Sequence, residues 1–246
     1  VTNERDREAA ARVFLGKTIR LLSGADSQPA RRIRLRGQRK PIGRYPSLKA
    51  GRGVKWEAIH EQHLMWILEA DANVVSYLEQ PYTLVIQRPG ERDLRYTPDL
   101  RCVMWDGTGE VIETKDTPEE FEDPEYARKL EIAEQVFHAE GMVFRRLTAV
   151  DDIDVEPRLS NSRLISGHRY TFVRSLDELK LREAIDAAGG TLPYGRAIEV
   201  LSATADRWDV LARARLHALI VRRVAAVDLY QRLDADALIT EAPRRT

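Results

Sequence analysis

One stretch constrains the fold more than any other: RYTPDLRCVMWDGTGEVIETK, residues 95–115. Polar and apolar residues alternate on both sides of DGTG, so it reads as two short antiparallel strands joined by a turn. Pro98 favours an extended entry and removes one ladder donor just before Asp99. Period-two alternation puts Glu113 and Lys115 on the same face of the second strand. A loop centred on Gly107 sets Asp99 across from Lys115, and all three side chains then leave one face. A loop of even length sends Asp99 to the other side.

Two carboxylates held together repel each other unless a cation joins them. Mg²⁺ suits such a pair, since it takes one or two carboxylates and completes its shell with water and phosphate oxygens. A nearby lysine supplies positive charge for a developing phosphorane or for the attacking water. Together these are the groups that metal-assisted phosphodiester hydrolysis requires. The same residues also make an ordinary salt-bridged hairpin face, with Glu113 against Lys115 or Arg101.

The flanking segments place this hairpin in a mixed sheet covered by helices. Residues 4–22 read as a helix with scattered apolar positions at Val13, Phe14 and Leu21, followed by the breaker SGADSQPA. Residues 31–55 hold ten Lys or Arg and no acid, with Gly and Pro interleaved. This run reads as a flexible solvated arm or as an arm contacting DNA phosphates, with Arg36, Arg39, Lys40, Arg44, Lys49, Arg52 and Lys55 as candidate contacts. Tyr45 and Trp56 are candidates for base stacking, with core packing the alternative for Trp56.

From Trp56 the segment WEAIHEQHLMWILEADANV has helical periodicity, and Glu57 and Glu61 share a face one turn apart. VVSYLEQPYTLVIQ is strand-like and interrupted at Pro81, with Gln80 orienting a strand entry or, alternatively, serving near the site. A helix over about 124–140 stops at Gly141, and MVFRRLTAV adds a strand.

A second unit begins between Glu156 and Phe172. SLDE at 175–178 predicts a helix capped by Ser175 and Glu178. A further helical stretch has Pro193 near its start and runs through Leu201. A third, over about 207–223, carries Arg213, Arg215, Arg222 and Arg223. VAAVDLY and ALIT form a hairpin. This order predicts a winged-helix-like domain, or a compact helical domain with a charged outer face. The expected divisions are 1–55 as N-terminal helix and basic arm, 56–155 as nuclease core and 172–246 as C-terminal domain.

Other classes find little support. The formal net charge is zero, so any nucleic-acid signal is local. Cys102 stands alone, which excludes a disulfide framework. No apolar run approaches the roughly 18 residues of a membrane span. The charged opening VTNERDREAAARVF is not a signal peptide, so the expected setting is cytoplasmic. His60-Glu61-Gln62-His63 is one residue short of the H-E-x-x-H zinc spacing. P-loop, dinucleotide-binding and serine-hydrolase signatures are missing from the sequence.

Several segments in order resemble one family. GRYPSLK (43–49), VKWEAIHEQHLMWILEADANVVSYLEQP (54–81), RYTPDL (95–100) and VIETK (111–115) resemble the TnsA-type endonucleases, nuclease subunits of heteromeric cut-and-paste transposases. The resemblance covers roughly residues 40–150. It implies a PD-(D/E)xK, restriction-endonuclease-like α/β fold and cleavage at the 5′ ends of a mobile element that depends on Mg²⁺, with Mn²⁺ as a substitute. It also implies DNA, a DDE transposase and an AAA+ ATPase as partners, the last through the C-terminal domain. Glu61 matches the helix glutamate, Asp99 the aspartate of the PD motif and Lys115 the active-site lysine. Glu113 fits the general fold's acidic position, where family members also carry Gln. Ala58 stands where many relatives carry Ser, and Thr114 where they carry Val. The competing expectations are a stand-alone restriction or repair nuclease of this fold, and a non-catalytic DNA-binding scaffold with a decayed nuclease fold.

Overall fold

A computed structural model describes residues 6–8, 12–14, 17–24, 29–30, 41–88, 90, 92–203 and 206–244. The architecture is mixed α/β. Two sheets and two of the helices build the frame of the site.

The first sheet contains β1 (Asp6–Glu8), β2 (Arg12–Phe14), β3 (Lys17–Gly24), β7 (Tyr82–Ile86) and β8 (Leu94–Tyr96). Its order is β1-β3-β7-β8, with β2 also paired to β3. The helix expected over 4–22 is therefore replaced by three strands. Ile19 and Leu21 alternate along β3 and pair with Ile86 and Leu84 of β7, and Ile19 is buried against Leu84 and Ile86. Pairing with a distant strand overrides the local helical character of the segment.

The second sheet has the order β11-β10-β9-β6, from β6 (Val74–Glu79), β9 (Leu100–Met104), β10 (Gly109–Lys115) and β11 (Met142–Thr148). β9 and β10 are antiparallel, as expected for the hairpin, and β11 lies parallel to β10. The connection to β11 runs through a 3₁₀ turn at Pro118–Phe121 and α2 (Pro124–Ala139). Pro124 opens α2 and Gly141, at φ 73°, follows its end.

The interruption at Pro81 has a larger effect than a kink. β6 pairs with β9 in one sheet, whereas β7 pairs with β8 in the other. The chain makes the same transfer at Thr97–Asp99, between β8 and β9, beside Pro98. A proline sits in each transfer because it cannot donate to a ladder that stops there. Gln80 N–H donates to the Asp99 carbonyl at 2.7 Å and ties the two transfers together.

Within the basic run, Arg36, Arg39 and Lys40 lie outside the described residues. The later part is an antiparallel hairpin of β4 (Gly43–Ser47) and β5 (Arg52–Trp56), not a loose arm. A Cβ on Gly43 would lie 2.3 Å from the Trp56 ring, so this glycine lets the indole pack across the strand pair. Tyr45 and Trp56 are both buried in the core and are not exposed for base stacking.

The hairpin is fastened to α1 (Ile59–Ala70) by Glu69, which is fully buried. Its carboxylate accepts from Ser47 Oγ at 2.7 Å, Tyr77 OH at 2.8 Å and Leu48 N–H at 2.6 Å. Lys49 turns inward at the same corner and donates to the carbonyls of Leu68 (2.9 Å) and Asp71 (2.5 Å) at the C-terminal end of α1. Burial lowers the pKa of its ammonium to about 8.

The C-terminal unit contains α3 (Arg158–Gly167), α4 (Ser175–Ala187), β12 (Thr191–Pro193), α5 (Tyr194–Leu201), α6 (Val210–Val221), β13 (Ala225–Val227) and β14 (Leu238–Glu241). The expected hairpin is present as β13 and β14, and β12 joins it to give the order β12-β14-β13. Pro193 belongs to β12 and immediately precedes α5. The cap of α4 differs from the expected one. Ser175 is already helical, and Asp177, not Glu178, reaches back to the Arg174 N–H at 3.0 Å. Of the arginines assigned to the third helix, Arg215 donates to the Leu201 carbonyl and Arg222 to that of Thr171. Arg223 lies beyond the helix and donates to the Ala72 and Pro243 carbonyls. The unit's apolar cluster extends to Ala70, the last residue of α1. No helix among the described residues is long and apolar enough to cross a membrane.

Removal of the Glu69 carboxylate leaves two hydroxyls and two backbone N–H groups, those of Leu48 and Lys49, without this acceptor. Glu69→Ala is expected to destabilise the protein by about 3 kcal/mol, read as a lower midpoint in urea unfolding at constant slope.

Candidate active site

The register of β9 and β10 decides which groups meet. Leu100 pairs with Ile112, two residues short of the partner that a facing of Asp99 with Lys115 requires. Asp99 itself lies just before the paired residues, and its N–H donates to the Ile112 carbonyl at 3.1 Å. Residues two apart on a strand share a face, so Glu113 and Lys115 project together, and the charges of both act on Asp99. The junction of the two sheets lies directly beside them.

Asp99 is held from the neighbouring strand. Its Oδ2 accepts from the Thr114 N–H at 2.7 Å and from Thr114 Oγ1 at 2.8 Å. The Thr114 hydroxyl thus has a use. Even so, burial pushes the Asp99 pKa well above the usual carboxylate range, reinforced by the charges of Glu113 and Glu61. Lys115 and the Thr114 hydroxyl pull more weakly in the opposite direction.

Glu113 is buried and surrounded by donors. Its Oε2 accepts from Tyr96 OH at 2.8 Å, and its Oε1 accepts from Lys115 Nζ at 2.8 Å and from Tyr126 OH. Tyr96 comes from β8 and Tyr126 from the first turn of α2, where Asp123 caps the Tyr126 N–H at 2.8 Å. Lys115 also donates to the Thr114 carbonyl at 3.0 Å and lies 4.9 Å from the Tyr126 ring centre. Burial works against its ammonium, but the Glu113 carboxylate and the surrounding acceptors outweigh burial and raise its pKa. Sequence reasoning missed both tyrosines. Tyr96 was visible next to the PD motif, but nothing in the sequence brings Tyr126 to the site.

Glu61 enters from the first turn of α1. Ala58 occupies the N-cap and has no oxygen to offer the exposed N–H groups. Glu61 Oε2 accepts from the Glu57 N–H at 2.8 Å. Burial raises its pKa to about 7, with Glu57 and Glu113 adding to the shift, while the Glu57 N–H and Lys115 oppose it. That Glu113 and Lys115 act on Glu61 places the helix glutamate at the same site. The histidines beside it are separated: His60 pairs with Asp116 and His63 with Asp154, each at 2.7 Å.

Among the basic residues, Lys49 is tied into α1 as described above. Arg52 forms a two-pronged pair with buried Glu79. Arg44 is exposed on β4, and Lys55 is half-buried on β5.

Burial and mutual repulsion hold Glu61 and Asp99 back from ionising, while the Lys115 ammonium is directed to Glu113. A hard divalent cation would relieve that repulsion and favour both charged forms. Among the described residues, no three His, Cys, Asp or Glu side chains form a ready metal cage. An ion here would therefore take a pair of carboxylates and complete its shell with water or substrate oxygens, a habit of Mg²⁺ more than of zinc.

Residues 71–149 match the family described as TnsA-like endonuclease N terminal. The match covers β6 to β11 and includes Asp99, Glu113 and Lys115, so the resemblance read from the motifs is borne out over this segment. The description is that of an endonuclease, and the part of the chain similar to it is about a third of the sequence. No curated protein matches the chain.

A carboxyl group whose pKa is raised by folding stabilises the protein below its unfolded value, and that contribution is lost as pH rises through the folded value. For Glu61 the window runs from about 4.5 to about 7. Buried His217, lowered to about 3, has the opposite slope below its ordinary 6.5, so the comparison must be between variants. Glu61→Gln is expected to gain stability over wild type as pH rises, reaching on the order of 2–3 kcal/mol by pH 8 without metal. Thermal melting across pH 5–8 in chelator checks this.

Proposed function

We propose that the chain is a Mg²⁺-dependent DNA endonuclease, the TnsA-like subunit that cuts the 5′ ends of a mobile element. The observation that carries this reading is the convergence of Glu61, Asp99, Glu113 and Lys115 at the sheet junction, three of them inside the matched segment. Glu61 and Asp99 would hold Mg²⁺, which when bound offsets negative charge on the scissile phosphate and lowers the pKa of water. Glu113, fixed by two tyrosines, holds the Lys115 ammonium against the site. Lys115 stays protonated at neutral pH and supplies positive charge to the phosphate as its charge develops. Thr114 locks the Asp99 carboxylate, so little reorganisation is needed when substrate arrives.

DNA is the substrate in this reading. Arg36, Arg39, Lys40, Arg44 and Lys55 contact its backbone, while Lys49 and Arg52 support the hairpin that carries Arg44 and Lys55. We read the C-terminal unit as winged-helix-like: what supports this is that α4, α5 and α6 are followed by the β13–β14 hairpin, with β12 from between α4 and α5 completing its sheet. It serves as the contact for an AAA+ ATPase, and a DDE transposase cuts the opposite strands.

Calorimetric titration of Mg²⁺ and Mn²⁺ tests the centre without a partner protein. Asp99→Asn is expected to lose metal binding and DNA cleavage while keeping its melting temperature. Lys115→Ala should keep metal yet cleave about 10²–10³-fold more slowly. Metal binding that survives in Asp99→Asn overturns the assignment, and a wild type that binds no metal even with DNA present makes the carboxylates structural.

A variant with Arg36, Arg39, Lys40 and Arg44 changed to Gln is expected to bind DNA more weakly at low salt. The slope of log affinity against log salt should become shallower by about 0.9 for each lost phosphate contact. An unchanged slope assigns these residues to solvent.

A further inference from the structure

Gln80 is strained, buried and joined to both halves of the site. Its φ is 43°, in the left-handed region that a side chain other than Gly or Asn seldom adopts. It is 5% exposed. Its main-chain N–H donates to the Asp99 carbonyl at 2.7 Å, and its own carbonyl accepts from Ala30 N–H at 2.9 Å. Its side-chain Nε2 donates to Glu57 Oε2 at 3.2 Å, and Glu57 N–H in turn donates to Glu61 Oε2 at 2.8 Å. The remaining side-chain atom, Oε1, is buried without a hydrogen-bond partner. A turn of this shape needs only glycine or asparagine. The sequence places there a long amide in a disfavoured conformation, with one polar atom unsatisfied. Strain of this kind is retained where the surrounding structure requires the side chain.

We infer that Gln80 is a positioning residue for the nuclease centre: its main chain sets Asp99 and its amide, acting through Glu57, sets Glu61. The two carboxylates come from different elements, a strand entry and a helix start. Gln80 is linked to both by direct hydrogen bonds of the chain Asp99–Gln80–Glu57–Glu61. This inference rests on the nuclease reading above and assigns a role in it to a residue that touches neither metal nor phosphate.

The test uses the full chain, Mn²⁺ titration and thermal melting side by side. Gln80→Asn tolerates the left-handed backbone but is one methylene too short to reach Glu57. It is expected to melt at or above the wild-type temperature while binding Mn²⁺ about tenfold more weakly and cleaving more slowly. Gln80→Gly, which removes the backbone strain, should weaken Mn²⁺ binding in the same way. Gln80→Glu keeps the length but sets one carboxylate against another, and should bind Mn²⁺ worst. Combining Gln80→Glu with Glu57→Gln exchanges donor and acceptor, and should recover most of the lost affinity at unchanged net charge.

Unchanged Mn²⁺ affinity in Gln80→Asn overturns the inference, and so does an exchanged pair that binds no better than Gln80→Glu alone. A melting temperature that collapses together with metal binding in both Asn and Gly variants makes Gln80 merely structural. If wild type itself binds no Mn²⁺, the nuclease reading fails and takes this inference with it. If wild type binds and the Gln80 variants bind equally well, this inference alone fails.

Discussion

The hydrogen bond from Gln80 N–H to the Asp99 carbonyl holds the place where two sheets exchange strands. On each side of it a chain leaves one sheet and enters the other, and each departure is marked by a proline. A continuous ladder would have buried this region between paired strands. Two interruptions meet at this bond instead, and Asp99 stands at the second of them. Thr83 and Thr97, whose hydroxyls meet at 3.0 Å, lie beside the same exchange.

Around that junction the protein gathers carboxyl groups and gives them unequal numbers of donors. Glu113 receives two phenols and an ammonium, while Asp99 receives a hydroxyl and an amide and Glu61 a single amide. The result is graded: one carboxylate is satisfied, and two remain poorly compensated at neutral pH. Elsewhere the chain shows that it can settle a buried acid fully, as it does for Glu69 and for Glu79. The contrast within one molecule separates acids that hold the fold from acids that remain available to a ligand.

Much of this was legible in the sequence because it is local. The hairpin, α1, α2 and the shared face of Glu113 and Lys115 follow from alternation, helical spacing and a few punctuating residues. What could not be read depends on distant pairing. Residues 17–24 become a strand because β7 lies beside them. Lys49 and Arg52 look like exposed cations in a basic run, yet they face inward because Glu79 and the end of α1 lie beneath them. Tyr126 reaches Glu113 through the packing of α2, which no spacing rule predicts. The exact register also escaped: the loop centres on Asp106 and not on Gly107, which pairs Leu100 with Ile112.

Helix α1 carries Glu61 in its first turn and ends inside the apolar cluster of the C-terminal unit at Ala70, nine residues or roughly 14 Å along its axis. Its sides pack against α3 and α6, and Arg223 grips the carbonyl of Ala72 just past its end. A single stiff rod therefore has one tip in the carboxylate cluster and the other embedded in a separate body. Any tilt or slide of that body reaches Glu61 as a displacement of its carboxylate relative to Asp99, which is anchored in the sheets and does not follow. The spacing of the two acids, on which joint coordination of one ion depends, is thereby geared to the seating of a unit that contributes no side chain to the cluster.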